Sequence, residues 1–182
     1  MIKAVVDSYQ YLALLGQIAI GVVILMYLAK FFGKSKALDN LRQKISTHSY
    51  LLVFLLSLAA TLASLFLSEV AKFQPCILCW YQRILMYPQP LLLYTALVRN
   101  ERVLKPYLLV LNILGALIAI YHYLLQRMPQ SLLAPCDTSG ISCVKGYKFY
   151  MGYMSFPLMS LTLFLLIIII LLLDVKNPKR SK

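Results

Sequence analysis

The sequence predicts an all-α membrane protein: a four-helix transmembrane bundle preceded by one additional N-terminal transmembrane helix. Three observations predict it. Of the 182 residues, 61% are hydrophobic and 13% charged, and mean hydropathy is +0.77, more apolar surface than a soluble domain of this size can hide. Five apolar stretches, residues 9–29, 50–70, 77–98, 106–126 and 154–173, each come near the roughly 20 residues that carry a helix across a bilayer. Most of the 18 basic residues fall on alternate connections: Lys30, Lys34, Lys36, Arg42 and Lys44 after the first stretch, Arg99, Arg102 and Lys105 after the third, and Lys176, Lys179, Arg180 and Lys182 after the fifth. By the positive-inside rule the N-terminus then lies outside and the C-terminus in the cytoplasm. All four cysteines face out. The net charge of +12 is therefore read as topology; no soluble stretch is long enough to carry a nucleic-acid groove.

The first apolar run is longer than a signal-peptide core, has no basic leader beyond Lys3 and shows no clear small-x-small cleavage site, so it is read as a true span. Residues 34–48, rich in Lys, Asp, Asn and Gln, read as a polar cytoplasmic connection, which makes residues 1–49 the additional helix with its loop. Span two carries Ser57, Thr61, Ser64 and Ser68 on one face, a stripe of small polar residues suited to close helix packing. Span three opens from FQPCILCWYQR, residues 73–83, and contains Pro88 and Pro90. Proline removes a backbone donor and bends a helix, so a kink is expected there. Trp80, Tyr81 and Tyr87 suit either an interfacial belt or the wall of a pocket for a flat ring.

Span four ends in IYHYLLQRMP, with His122 about one turn inside the outer interface, open to an interfacial or a chemical role. The loop that follows, PCDTSGISCVKGYKFYMGY, sets Cys136 and Cys143 among the turn formers Pro135, Asp137, Ser139, Gly140 and Ser142. Tyr147, Phe149, Tyr150 and Tyr153, with Lys145 and Lys148, read as a segment resting on lipid headgroups. Gly152 and Pro157 frame the entry to span five. Residues 50–175 make the bundle and 176–182 a basic cytoplasmic tail.

The four cysteines carry the functional signal. Cys76 and Cys79 stand at Cys-x-x-Cys spacing after Pro75, whose fixed φ and missing N–H suit a helix start. Both sulfurs then feel the positive end of the helix dipole, which favours thiolate, and Arg83 adds a cation four residues beyond Cys79. Gathering four thiols on one face fits an oxidising compartment. A disulfide between Cys136 and Cys143 would close a short loop, either as a staple contributing roughly 2–3 kcal/mol or as an exposed bond open to exchange. Two dithiol pairs on one face invite a relay through mixed disulfides, from a soluble substrate to the loop pair and on to the helix-start pair. No nucleotide motif or haem Cys-x-x-Cys-His is present, and ligands are too few for an iron–sulfur cluster beyond the cysteines themselves. A quinone needs only a pocket in the bilayer beside a thiolate, with a cation where its oxygen gains charge; Cys79, Arg83 and His122 meet that need.

PCILCWYQR, then YHYLLQ before a cysteine-bearing outer loop, then Gly and Pro leading into the last span, resemble the bacterial disulfide bond formation protein B (DsbB) family of thiol oxidases. The likeness covers about residues 50–173. It implies that Cys136 forms the mixed disulfide with a thioredoxin-fold partner resembling DsbA, that Cys143 is its loop partner, that Cys76 exchanges with the loop pair and that Cys79 contacts the quinone, ubiquinone or menaquinone. Arg83 would bind the quinone oxygen, and His122 matches a family histidine near it. The resemblance also implies a multi-pass protein of the bacterial cytoplasmic (inner) membrane, serving electron transport and the folding of exported proteins. Three features depart from familiar members: the additional first span, Gln82 where an acid usually precedes the arginine, and a loop pair of short spacing closer to the Gram-positive type.

Two other classes compete. A vitamin K epoxide reductase-type enzyme also uses a four-helix bundle and two cysteine pairs, but there the pair beside the quinone comes late in the bundle, whereas here Cys-x-x-Cys comes early. A non-enzymatic membrane protein would keep its four cysteines as structural disulfides. A zinc centre on the four cysteines is disfavoured, because the second pair lacks short ligand spacing, so no metal is expected.

Overall fold

The structure is a computed structural model describing residues 2–31, 36–127, 143 and 152–174. It is all-helical in its regular elements. Helix α1 spans Ile2–Phe31; α2 spans Lys36–Leu65 and runs on into a π-helical turn, Phe66–Val70; α3 spans Ile77–Met86, α4 Pro88–Val98, α5 Lys105–Arg127 and α6 Phe156–Leu173. Four of these helical stretches are long and apolar enough to cross a membrane: Asp7–Leu28, Asp39–Val70, Lys105–Arg127 and Phe156–Leu173. The remaining expected span is divided into α3 and α4. The chain is a multi-pass membrane protein.

The division falls where proline places it. Pro88 begins α4 and neither it nor Pro90 has an N–H to donate. Tyr87 between the two helices keeps helical dihedrals, φ −62° and ψ −35°, so the element bends rather than turns back. The Gln89 side chain donates to the Leu85 carbonyl at 3.0 Å, a side-chain contact that spans the bend.

One boundary differs from the sequence expectation. Much of the polar connection expected at residues 34–48 is helix, because α2 starts at Lys36. Ala, Leu, Lys, Arg and Gln dominate KALDNLRQK, all strong helix formers. Polarity removes these residues from the bilayer; it does not unwind them.

Helices α2, α3 with α4, α5 and α6 close a ring in chain order, with α6 packed on both α5 and α2. Its core has three levels. Tyr50, Val53, Leu93, Ala96, Leu108, Ile167 and Leu171 fill one end, Met86, Ala116, Ala119 and Phe164 the middle, and Cys76, Leu78, Leu125 and Cys143 the cysteine end. Gly115 admits the Phe164 ring so closely that a Cβ there would fall 2.5 Å from it. Helix α1 leans on α6 outside the ring, where Gly16 faces Leu166 and Thr162 and Gln17 Nε2 donates to Thr162 Oγ1 at 3.3 Å.

The end opposite the cysteines is locked by charge. Arg102 Nη1 lies 2.9 Å from Asp174 Oδ1, Ser46 Oγ donates to the same carboxylate oxygen at 3.0 Å, and Lys105 Nζ donates to the Asp174 carbonyl at 2.6 Å. Arg102 also donates to the Ser46 carbonyl at 3.0 Å and covers the Tyr50 ring at 5.6 Å. The middle of α2, the α4–α5 turn and the end of α6 are thereby joined.

Candidate functional site

At the other end, α2 exits through its π turn and the chain reverses at Lys72, whose φ of 58° is left-handed. Phe73 packs edge-on against Phe156 at the start of α6, ring centroids 5.6 Å apart. Cys76 then caps α3 in extended conformation, φ −74° and ψ 173°, and its carbonyl accepts from Trp80 N at 3.1 Å. Pro75 therefore sits just before the cap rather than in the first turn. The helix start expected from Pro-Cys-x-x-Cys is present, and it orients the two sulfurs toward each other: Cys76 Sγ to Cys79 Sγ is 3.4 Å, a dithiol contact well beyond the roughly 2.05 Å of a bond.

The two thiols differ. Cys76 is 5% exposed, while Cys79 is half-buried. Cys76, one residue outside the span, has its thiol pushed up to about 11, first by its hydrogen bond to Cys79, then by burial, with His122 pulling the other way. The expected lowering of both thiols by the dipole therefore fails at Cys76. Its own proton is what solvates the Cys79 sulfur, and a donor in that role resists losing it.

His122, one turn before the end of α5, is 2% exposed. Its Nε2 lies 3.6 Å from Cys76 Sγ, and the three donor atoms of Cys76, Cys79 and His122 all fall within 4.8 Å of one another. The interfacial role left open by the sequence is not the one found. The imidazole is held by three neutral side chains that the sequence did not single out for this purpose. Gln126, one turn along α5, places its Nε2 3.5 Å from His122 Nε2 and donates to the Cys143 carbonyl at 3.4 Å. The Gln82 amide lies 3.2 Å from Nδ1, and Ser160 of α6 hydrogen-bonds that amide while donating to the Pro157 carbonyl at 2.9 Å.

Counting hydrogens selects a tautomer. An NH2 group fixed by the Cys143 carbonyl presents a hydrogen to His122 Nε2, so Nε2 must offer a lone pair and Nδ1 carries the proton. Nδ1–H then needs an acceptor; Gln82 as placed sets its Nε2 at Nδ1 and accepts from Ser160 through Oε1, and exchanging the two like-shaped amide ends supplies it. In that exchanged orientation the Gln82 NH2 donates to Ser160 Oγ, whose single hydrogen goes to the Pro157 carbonyl. The Cys76 thiol hydrogen goes to Cys79 Sγ, and it competes with the Gln126 hydrogen for the single Nε2 lone pair.

Arg83 projects on the flank of α3 that carries Trp80, which is 49% exposed. Its guanidinium lies 5.4 Å over the Trp80 ring and donates to the Ser64 carbonyl at 3.2 Å, with its charge acting on the Cys79 sulfur. Tyr87 donates its hydroxyl to Ser64 Oγ at 3.1 Å. The small polar stripe of span two thus serves packing along most of its length, where Thr61 and Ser68 bond their own helix, and meets the site at Ser64. Cys143 is 2% exposed and shares the buried cluster of Cys76 and Leu125. No disulfide joins any two of the described cysteines. Cys136 and the Lys145–Tyr150 segment lie outside the described residues.

A quinone fits the donor set on this flank: a half-buried thiol, a guanidinium four residues on and a phenol, beside side chains open to lipid. Two clefts, about 280 and 300 Å³, lie at the opposite end around Arg99, Glu101 and Arg102 and contain none of the candidate residues.

Signals for Gln82, Gln126 and Ser160 existed, since polar side chains within otherwise apolar spans mark functional interiors; what the sequence lacked was their convergence from three helices.

The family model for "Disulfide bond formation protein DsbB" matches residues 46–173. The chain is 43% identical over 131 residues to the SPbeta prophage-derived disulfide bond formation protein B of Bacillus subtilis, covering 71% of this chain and 88% of that protein. It is 45% identical over 113 residues to disulfide bond formation protein C of the same organism, covering 62% and 81%. It is 35% identical over 136 residues to probable disulfide formation protein C 1 of Bacillus anthracis, covering 75% and 98%. No solved structure matches.

Proposed function

Since the chain belongs to the DsbB family of disulfide bond formation proteins, we propose that it is a membrane thiol:quinone oxidoreductase that reoxidises a thioredoxin-fold disulfide donor resembling DsbA on the extracytoplasmic face. The observation that carries this reading is the burial of Cys143 against Cys76 and Cys79 in one cluster, which brings a loop cysteine to the helix-start pair. Shared burial of thiols from separate parts of the chain is what a relay needs and a local staple does not.

In this reading the loop disulfide, Cys136–Cys143, accepts two electrons from the partner's dithiol: a partner thiolate attacks Cys136, Cys143 leaves as thiolate, and the partner's second thiol resolves the mixed disulfide. The released Cys143 thiolate attacks Cys76 of the oxidised Cys76–Cys79 pair, and Cys136 resolves that bond in turn, re-forming the loop disulfide. Cys79 leaves as a thiolate on the lipid-facing flank, where the Arg83 cation stabilises it. His122, with its Nε2 lone pair 3.6 Å from Cys76 Sγ, holds the proton that Cys76 gains or loses as the pair cycles. A quinone, when bound, would supply the sink for two electrons and two protons; in this reading Arg83 and Tyr87 would bind its oxygen and Trp80 would flank its ring. The same reading puts the cysteine end outside the cytoplasmic membrane, with the Arg102–Asp174 end inside.

The test is anaerobic turnover of the purified protein in detergent with a reduced thioredoxin-fold donor and added quinone, following quinone absorbance and donor thiols together. Stoichiometric loss of both, abolished by Cys79→Ser, is the expected result. Quinone that stays oxidised while all four cysteines remain locked in disulfides overturns it.

A further inference from the structure

We propose that the reduced form of the protein binds one thiophilic divalent cation, of which zinc is the physiological representative, through Cys76, Cys79 and His122. The zinc centre disfavoured from the sequence was a different one, made of four cysteines; the structure supplies a nitrogen donor from another helix that spacing along the chain does not reveal.

Three observations carry the site. First, the donor separations match a tetrahedral ion. Ligands at about 2.3 Å for thiolate sulfur and about 2.0 Å for imidazole nitrogen stand roughly 3.8 Å apart for two sulfurs and roughly 3.5 Å for sulfur and nitrogen. The Sγ–Sγ distance is 3.4 Å and the Cys76 Sγ–Nε2 distance 3.6 Å, both within a few tenths of an ångström of that geometry, and Cys79 Sγ lies within 4.8 Å of Nε2. Second, the imidazole is already prepared. Ligating histidines are oriented by a hydrogen bond from the other ring nitrogen; here the Gln82 amide lies 3.2 Å from Nδ1, and Nε2 faces Cys76 Sγ at 3.6 Å, where an ion takes the lone pair that Gln126 otherwise meets. Third, Cys76 and His122 are 5% and 2% exposed, so the ion sits where water competes poorly for it.

Binding is not a redox step. The cation takes the place of two thiol protons, which leave to solvent, and the ion keeps its charge: two thiolates and one neutral imidazole bind it and leave one coordination position open. Three protein ligands and an open position describe a reversible guest rather than a closed structural centre. The same two sulfurs cannot hold an ion and a disulfide together, so only the dithiol form binds. For the relay proposed above, the cation would be a competitive brake on reoxidation. That consequence rests on the relay; the binding itself does not.

The experiment uses the full chain in detergent, anaerobic and reduced with a phosphine, with no quinone or partner present, and adds cadmium as the probe for its thiolate charge-transfer absorption and cobalt for its tetrahedral visible bands. The expected result is one equivalent bound per chain in the Cys136→Ser/Cys143→Ser double variant as in the unaltered protein. His122→Gln should weaken binding about tenfold or more, Cys79→Ser should abolish it, and the protein oxidised at Cys76–Cys79 should bind none. Binding that vanishes with the loop cysteines but survives Cys79→Ser would overturn the assignment, as would the absence of the charge-transfer band from the reduced protein. Because a variant can misfold, a second readout is the thermal unfolding of the unaltered protein: zinc should raise the midpoint of the reduced form and leave the oxidised form unmoved, and equal shifts in both would also overturn it. Failure of quinone turnover leaves all of these outcomes readable.

Discussion

Two half-buried arginines stand at opposite ends of the same bundle, and they are used in opposite ways. Arg102 is saturated: its guanidinium meets the Asp174 carboxylate at 2.9 Å, the Ser46 carbonyl at 3.0 Å and the Tyr50 ring. Arg83, among the described residues, has no carboxylate partner; it has one backbone carbonyl, one indole ring and a neighbouring sulfur. A neutralised charge fixes the helix ends that share it and exerts little field elsewhere. A charge left uncompensated keeps its field for whatever negative charge arises beside it. The same contrast holds for the polar groups around each. The lock is ionic, whereas the contacts around the thiols join neutral amides, an imidazole and sulfurs at 3.2 to 3.6 Å. One end holds the bundle shut; the other can exchange its hydrogen-bond partners as thiols come and go.

The largest effect should come from breaking the uncompensated side. Arg83→Ala is expected to slow the quinone-dependent half reaction about 10²- to 10³-fold, the loss typical of one preorganised charge-stabilising donor, while disulfide exchange with a partner dithiol stays within a factor of a few. Separate stopped assays of the two half reactions check this. Equal losses in both would mean that Arg83 supports the fold as Arg102 does, and the contrast would disappear.

Asp174→Ala tests the other side. Removing one member of a buried pair typically costs about 3–5 kcal/mol; Arg102 retains 29% side-chain exposure, so part of its charge returns to water and roughly 2–3 kcal/mol is the expected loss. Reversible unfolding in mixed micelles with increasing denaturing detergent should show it, with turnover per folded molecule unchanged. A variant that loses turnover while keeping its stability would show that the lock is coupled to the thiols through the helices.

How much of this contrast was legible beforehand depends on how far apart in the chain the partners lie. The helix start at Cys-x-x-Cys, the bend at Pro88 and the five apolar runs are local, set by residues within a turn or two of one another, and the structure reproduces them. Arg102 and Asp174 are 72 residues apart, and Asp174 reads in the sequence only as the polar stop of the last apolar run. Gln82 was visible as a departure from the resembled family, yet its meaning depends on His122, 40 residues away, and on Ser160, 78 away. The lowered thiol pKa expected at Cys76 followed from the helix dipole alone and failed because the dominant influence is the neighbouring sulfur. The early start of α2 has another physical reason: polarity keeps a segment out of the bilayer, while helix propensity decides whether it winds into a helix.

Gly115→Ala probes the level between the two ends. An added Cβ would lie 2.5 Å from the Phe164 ring edge, and Phe164 is fully buried, so the ring cannot step aside into open space. Overpacking of this kind typically costs about 1–3 kcal/mol. Near 2 kcal/mol is expected in the same unfolding assay, with both half reactions intact if the ends act independently.

The smallest effect sharpens the comparison most. Gln82→Leu removes the amide that meets both His122 Nδ1 and Ser160 Oγ while nearly preserving volume. In water, a buried donor left unpaired costs about 1–3 kcal/mol. Within a bilayer the reference state also finds partners, and measured interhelical hydrogen bonds average about 0.6 kcal/mol, so a loss below about 1 kcal/mol is expected, well under that of Asp174→Ala. The functional signature is larger than the stability signature. Freed from Gln82, the imidazole is biased only by Gln126, so a second tautomer, which turns no lone pair toward Cys76, becomes populated. Nitrogen-15 spectra of His122 should show one Nδ1–H tautomer in the unaltered protein and a mixture in Gln82→Leu. Ser160→Ala, which leaves Gln82 in place, should keep the single tautomer. If Gln82→Leu instead costs as much as Asp174→Ala with the tautomer unchanged, the cysteine-end network is a lock of the same kind as the one at the opposite end, and the division of labour between the two ends is wrong.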